Sequence, residues 1–422
     1  MSLPPASRRT RGPRRAAAAA LVVLLALVAS CTVTTTSGAR RVSTSSSRAG
    51  HSPSAPSASH HPSGGAGMVA PRSRVSAPFR NPLPGMPPVL HNDVYAATRA
   101  GMLSPRVAHD PAYVYVPDSS GSTVTVISQK THRVVRVIPA GYLSQHVTPS
   151  YDLKHLYTNS SAADEFVEIN PHTGKRQRTL PVPRPYNLYF TPDGKQAIVM
   201  VEEYNTIRFS DPTTFHKRQD VTRPGCQGPN HADFSGNGRY FIVTCEFSGA
   251  LLKVATNSHK VLGILHLGAM SMPQDIRISP DGRTFYVADM GVDKVRLISA
   301  RRFKQVGAIA MPSNPHGLYP SRNGKLMYVS DRGAGEVSVV SFKTNKIVHT
   351  WRIPGGGSPD MGGVSADGKT LWLSGRYDGV LYGFNTRTGH LIAKIPVGVS
   401  PHGAAVWPQP GRYSLGHTGN MR

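Results

Sequence analysis

From residue 113 onward the chain sets short apolar stretches between polar breaks, and the spacing follows the two-residue period of strands rather than the 3.6 of helices. Phe285-Tyr286-Val287-Ala288-Asp289 is β-branched and aromatic, whereas Lys294-Val295-Arg296-Leu297-Ile298-Ser299 alternates apolar with polar. Ahead of them stands SPDGR (279–283), whose Asp-Gly pair supplies the positive φ angles of a tight hairpin. The same turn recurs as TPDGK (191–195), SGNGR (235–239), SRNGK (321–325) and SADGK (365–369), with looser copies beginning at Thr148 and Trp407. Counted from Thr148, the steps are 43, 44, 44, 42, 44 and 42 residues.

Each unit reads as four strands: one before the turn, an apolar one after it, an alternating one, and a fourth such as KIVHTWRIP. Four strands every forty-odd residues predict a propeller blade. A lone sheet of this size exposes both faces, so the blades must stack around an axis. The expected fold is therefore all-β: a seven-bladed β-propeller of four-stranded antiparallel blades. The unit that starts near Pro401 stops early, so Pro401–Val406 is expected to close the ring as the innermost strand of blade one, with Arg106–His109 as the alternative.

FYVADMGVDKVRLIS (285–299) and MYVSDRGAGEVSVVS (327–341) resemble the YVTN-type β-propeller repeat of exported bacterial and archaeal proteins. The resemblance spans about residues 105–410 and speaks for fold more than chemistry. Propellers include lactonases, lyases and metal-dependent oxidoreductases, but no catalytic set of theirs matches here position by position.

The region before the repeats is different in kind. Arg8, Arg9, Arg11, Arg14 and Arg15 precede the apolar AAAAALVVLLALVAS (16–30), which ends at Cys31. This is the layout of an export signal, too short to span a bilayer comfortably. Val28-Ala29-Ser30-Cys31 resembles a bacterial lipobox, which implies cleavage before Cys31 and a lipid on its thiol; an ordinary secretory signal is the alternative. Arg8-Arg9 leaves the export route open. Residues 1–30 are assigned to the signal, 31–90 to a Ser/Thr/Pro-rich flexible tether, and 91–422 to the propeller. Val94–Ala97 are expected to form a short helix leading into it. The expected location is the outer side of the cytoplasmic membrane, lipid-anchored. There Cys226 and Cys245 are free to pair, with two buried thiols as the alternative.

A Pro stands six residues before the turn in most units: Pro185, Pro229, Pro273, Pro315, Pro359 and Pro401. The two residues after it are polar in blade after blade, which places His231, Asp275, His316, Asp360 and His402 at one mouth of the channel. Arg332 and Arg376 reach the same end from the loops between second and third strands. Imidazole and carboxylate together suit zinc or another transition metal, making His231, His316 and His402 the metal candidates. The arginines suit a small anionic ligand. Solvated channel polarity is the plain alternative. No HExxH, CxxC or GxSxG is present, and no cofactor is required by the sequence.

Charge adds one more possibility. The chain carries 48 Lys+Arg against 23 Asp+Glu, and from residue 101 onward 36 basic against 22 acidic. Clusters at Lys175–Arg178 and Arg301–Lys304 are expected beside turns on the rim, where they would attract anionic polymers. The resulting expectation is a monomeric, membrane-anchored binding module taking a protein partner, an envelope polymer or a small anion at the mouth. An enzyme at the same mouth and a nucleic-acid binder are the alternatives.

Overall fold

The computed structural model describes residues 75–422. Seven four-stranded antiparallel sheets stand around one axis. Blade five is typical: Pro273–Ile278 innermost, then Thr284–Asp289, Lys294–Ser299 and Lys304–Ala310 outermost. Every residue of its inner strand is buried, and most of its outer strand is exposed. Blade one draws on both ends of the repeat region. Its innermost strand is Ala405–Trp407, paired antiparallel with Tyr113–Tyr115, and the Trp407 indole donates to Asp110 Oδ2 at 2.7 Å. This pairing joins the ring.

The two-residue period gives each blade two apolar faces, and both are buried. In blade six, Val337 and Val339 face Leu371, Leu373 and Tyr382 of blade seven; Val329 and Val340 face Tyr286 and Leu297 of blade five. Each such large side chain contributes about 1.5–3 kcal/mol of transfer free energy, so the core is a series of inter-blade layers rather than a centre. Polar ties link neighbouring inner strands. The Ile278 amide donates to Asp233 Oδ2 at 2.8 Å, and the Leu318 amide to Asp275 Oδ2 at 2.9 Å.

Two segments outside the blades complete the body. Residues 76–90, placed in the tether by composition, pack across the hairpin-turn side. Phe79 lies so close to Gly236 that a Cβ there would stand 2.6 Å from its ring. Further on, Tyr95 donates to Ile278 O at 2.8 Å, and a single 3-10 turn, Ala96–Thr98, stands where a helix was expected at 94–97. After the closing strand, residues 408–422 turn inward and fill the channel from the hairpin side, nearly all of them buried. Gly416 bridges Tyr189 in the inner strand of blade three; its φ is 102°, and a Cβ would meet Leu188 O at 2.3 Å. Arg422 and Asn420 both bond Asp233 Oδ1, at 2.7 and 2.8 Å. Cys226 and Cys245 form a disulfide within blade four. The signal stretch, Cys31 and the tether up to residue 74 lie outside the described residues.

Candidate functional site

The inner strands do not run straight into the channel. In five blades the ladder slips between the first and fourth residues, as between Pro315 and Leu318 or Ser144 and Val147. Such bulges re-aim side chains, and the two residues that follow the strand's first position carry the channel's polar groups. The slip explains why these positions read polar among Val, Ile and Phe.

Nearest the mouth, Asp360 holds the first group together. His402 Nδ1 is 2.7 Å from its Oδ2, and His316 Nδ1 stands 2.9 Å from Oδ1, at ion-pair distance without hydrogen-bond alignment. Arg332 Nη1 reaches Oδ1 at 3.4 Å. Burial works against the Asp360 carboxylate, but the two imidazoles and the guanidinium overcome it and hold its pKa well below the usual range. Burial also lowers both histidines, His402 to about 3, even though Asp360 acts to raise them. The state we assign is a carboxylate between two neutral rings.

One step deeper lies a second group: His146 of blade two, His231 of blade four and His417 of the inward segment. All three are fully buried, and one ring nitrogen from each falls within 4.8 Å of the others. The rings of His231 and His417 are 4.9 Å apart, and those of His146 and His417 5.1 Å. His146 Nδ1 is 3.0 Å from Tyr186 O, which places its proton there and leaves the Nε2 lone pair free. His417 Nδ1 accepts from the Asn187 Nδ2 amide at 3.1 Å, which leaves the ring proton on Nε2, 3.9 Å from Asp275 Oδ1. Neither nitrogen of His231 has a partner, nor has His146 Nε2 or His417 Nε2. Burial, aided by neighbouring cationic and imidazole groups, pushes all three rings well below the ordinary histidine range, so they are neutral. Gly403 makes room for this: a Cβ there would stand 2.1 Å from His146 Cδ2.

The residues expected at the mouth therefore divide. His316, His402, Asp360 and Arg332 meet. His231 joins the deeper group instead. Asp275 turns into the wall, accepting from the Ile276 and Leu318 amides and lying 3.3 Å from Arg277; burial pushes it up to about 6, with Arg277 opposing. Arg376 bonds Ser119 Oγ and Ser400 O, not Asp360. Asp118 and Asp289, at the ends of second strands, are spent on local partners: Thr123, Thr125 and the Gly398 amide for the first, Arg296 and Ser271 for the second. Sequence reasoning missed His146 and His417. The first sits in the blade that lacks its leading Pro, which blurred the register, and the second follows the last repeat.

Around the mouth, the loop face carries Tyr204, Phe247 and Tyr377 between second and third strands, and Met270 and Val399 ahead of inner strands. Among the described residues these five are the most exposed of the large apolar side chains, Met270 at 79% and Tyr377 at 75%. On the opposite, hairpin side a groove of about 670 Å³ is lined by Lys253, Arg283, Arg301 and Arg302. Lys175–Arg178 open the outermost strand of blade two, Lys175–Pro181, directly beside the turn at 171–174, as expected.

Comparisons with known proteins agree on the architecture. The family model described as "YNCE-like beta-propeller" matches residues 82–410. No curated protein matches the chain. Similar solved structures include the dihydro-heme d1 dehydrogenase NirN in complex with DHE, at 15% identity and TM-score 0.55, covering 72% of this chain and 78% of that one. Kuenenia stuttgartiensis hydrazine synthase is similar at 16% identity and TM-score 0.54, covering 69% and 94%. A functionally unknown protein from Desulfotomaculum acetoxidans DSM 771 is similar at 15% identity and TM-score 0.58, covering 70% and 98%. At such identities the likeness concerns the fold alone.

Proposed function

The chain belongs to the YNCE-like beta-propeller family, and on that premise we propose that it is a binding module, tethered outside the cytoplasmic membrane by lipid on Cys31 and presenting its loop face to a protein partner. The YVTN-type character of its strand phrases supports an exported role, and the lipobox-like Val28–Cys31 supports the anchor. Among the described residues, no helix is long and apolar enough to cross a membrane.

The observation that carries this reading is that Tyr204, Phe247, Met270, Tyr377 and Val399, the most exposed large apolar side chains described, all stand on loops at the same end of their blades. Aromatic and Met side chains are the residues that anchor protein interfaces, whereas an isolated monomer gains nothing from leaving several of them in water. Residues 408–422 close the channel from the other side, so the loop face offers a surface rather than a passage.

Photo-crosslinking residues at positions 247 and 377, with positions 348 and 392 on the outer strands as controls, test this in membranes of the native host. A discrete protein adduct from the loop face, lost when Met270→Ser and Tyr377→Ser are combined, is the expected result. Adducts of equal yield from both faces, or adducts to polysaccharide alone, contradict it. Cys31→Ser is expected to abolish incorporation of labelled palmitate into the protein.

A second reading, catalysis at the mouth, draws on one feature. Glu202 Oε1 is buried without a hydrogen-bond partner, and burial together with the neighbouring Glu246 carboxylate raises the Glu202 pKa well above the ordinary value. A carboxyl kept protonated in this way has the property of a general acid. Turnover of any substrate that is lost in Glu202→Gln with folding intact favours this reading.

A further inference from the structure

The deeper histidines pose a problem that the loop face does not solve. A buried polar atom without a partner costs about 1–3 kcal/mol, and native interiors leave few of them. Here four ring nitrogens, from His146, His231 and His417, are unpartnered, and one from each ring lies within 4.8 Å of the others. Three independent stretches of chain supply them: the inner strands of blades two and four, and the segment after the closing strand. A structural cluster would be expected to pair such nitrogens with hydroxyls or carbonyls, as Asp360 serves His402 nearby.

We infer that His146, His231 and His417 form a three-imidazole site for a divalent transition metal ion, zinc or copper(II), enclosed in the channel beneath the mouth. Nitrogen donors without thiolate select ions of this class over magnesium or calcium. The Tyr186 carbonyl on His146 Nδ1 fixes that ring as outer partners of metal-bound histidines do. To ligate through Nε2, His417 carries its proton on Nδ1 instead, and the Asn187 side-chain amide turns to present its oxygen there; Asp275, 3.9 Å from Nε2, stays paired with Arg277. Metal–nitrogen bonds of about 2.0–2.1 Å in tetrahedral geometry set the donors about 3.3 Å apart, so binding draws nitrogens now within 4.8 Å somewhat closer. Because His417 lies on the inward segment, the ion also pins that segment to blades two and four.

The test uses the untagged full chain, stripped with chelator and titrated with zinc chloride or copper(II) chloride. Because His60 and His61 are potential competing ligands, the reference protein carries His60→Ala and His61→Ala. One equivalent of metal is expected, with a rise in the thermal unfolding midpoint that grows with free metal. His231→Gln and His417→Gln should each weaken binding by more than the roughly 10–100-fold that loss of an outer partner costs, whereas His316→Gln should bind as the reference does. If a channel variant does not fold, X-ray absorption of the copper(II)-loaded reference decides: a first shell with three imidazoles supports the site. Absence of stoichiometric binding in the reference, binding unchanged in the folded His231 and His417 variants, or a shell with fewer than three imidazoles overturns it.

Discussion

Two groups of histidines, one step apart in the same channel, have met opposite fates. At the mouth, Asp360 accepts from His402 Nδ1 and stands at ion-pair distance from His316 and Arg332. Below, His146, His231 and His417 have four nitrogens with no partner. Residue type and burial are nearly the same in both places, so neither explains the difference. What differs is the source of the acid: blade seven places Asp360 in the channel, whereas the acid of blade five, Asp275, is turned into the wall by two backbone amides and Arg277. Polarity in a channel thus separates into groups that hold the ring together and groups left free to bind.

Acidification should have the largest effect on this contrast. A buried histidine whose folded pKa is depressed takes its proton mainly when unfolded, so its contribution is full above about pH 6.5 and is lost as pH falls. His402, lowered to about 3, removes about 1.6 kcal/mol between pH 6.5 and 5, and the other four lowered histidines act in the same sense. Asp275, raised to about 6, and Asp331, raised to about 8, work in the opposite sense, as do the raised Glu202 and Asp118, and they return part of the loss as they take up protons. Urea unfolding of the metal-free protein should therefore show a net loss of stability over that range. A flat profile would mean that the rings are not neutral and buried as described.

Asp360→Ala comes next. It leaves His316, His402 and Arg332 facing one another without the carboxylate, and breaking such a buried pair costs about 3–5 kcal/mol. Urea midpoints measure it, and a loss below about 1 kcal/mol would show that the mouth group is not held by this acid. Arg422→Ala is expected to cost less, about 2 kcal/mol, because Asp233 keeps Asn420 and the Ile278 amide. Its sharper signature is faster hydrogen exchange at residues 413–422 with blades six and seven unchanged. Smallest of all, Phe247→Ser or Tyr377→Ser should leave stability within about 0.5 kcal/mol, since both side chains stand mostly in water; a larger loss would mean that they serve the fold.

The ring itself was legible because the hairpin chemistry of SPDGR and its copies is local, and the two-residue period reports burial directly. The seven blades, their strand number and the Pro-led inner strands follow from it. The channel was legible only in part. Which two residues face inward could be read from the repeat, as for His316, Asp360 and His402, but their partners come from other blades at forty-residue separations that no local pattern encodes. His146 was hidden by Ser144 standing where its neighbours have Pro. His417 belongs to no repeat, and nothing in RYSLGHTGNMR announces that it turns into the channel. Even residues 76–90 misled, since a few apolar contacts such as Phe79 on Gly236 outweigh a tether-like composition.

The contrast between the two groups is open to one direct observation: nitrogen-edited NMR of the five histidine rings before and after one equivalent of zinc. The account predicts neutral rings throughout at pH 7, large shifts for His146, His231 and His417 on adding zinc, and almost none for His316 and His402. Shifts centred on His316 and His402, or rings already protonated at neutral pH, would contradict it.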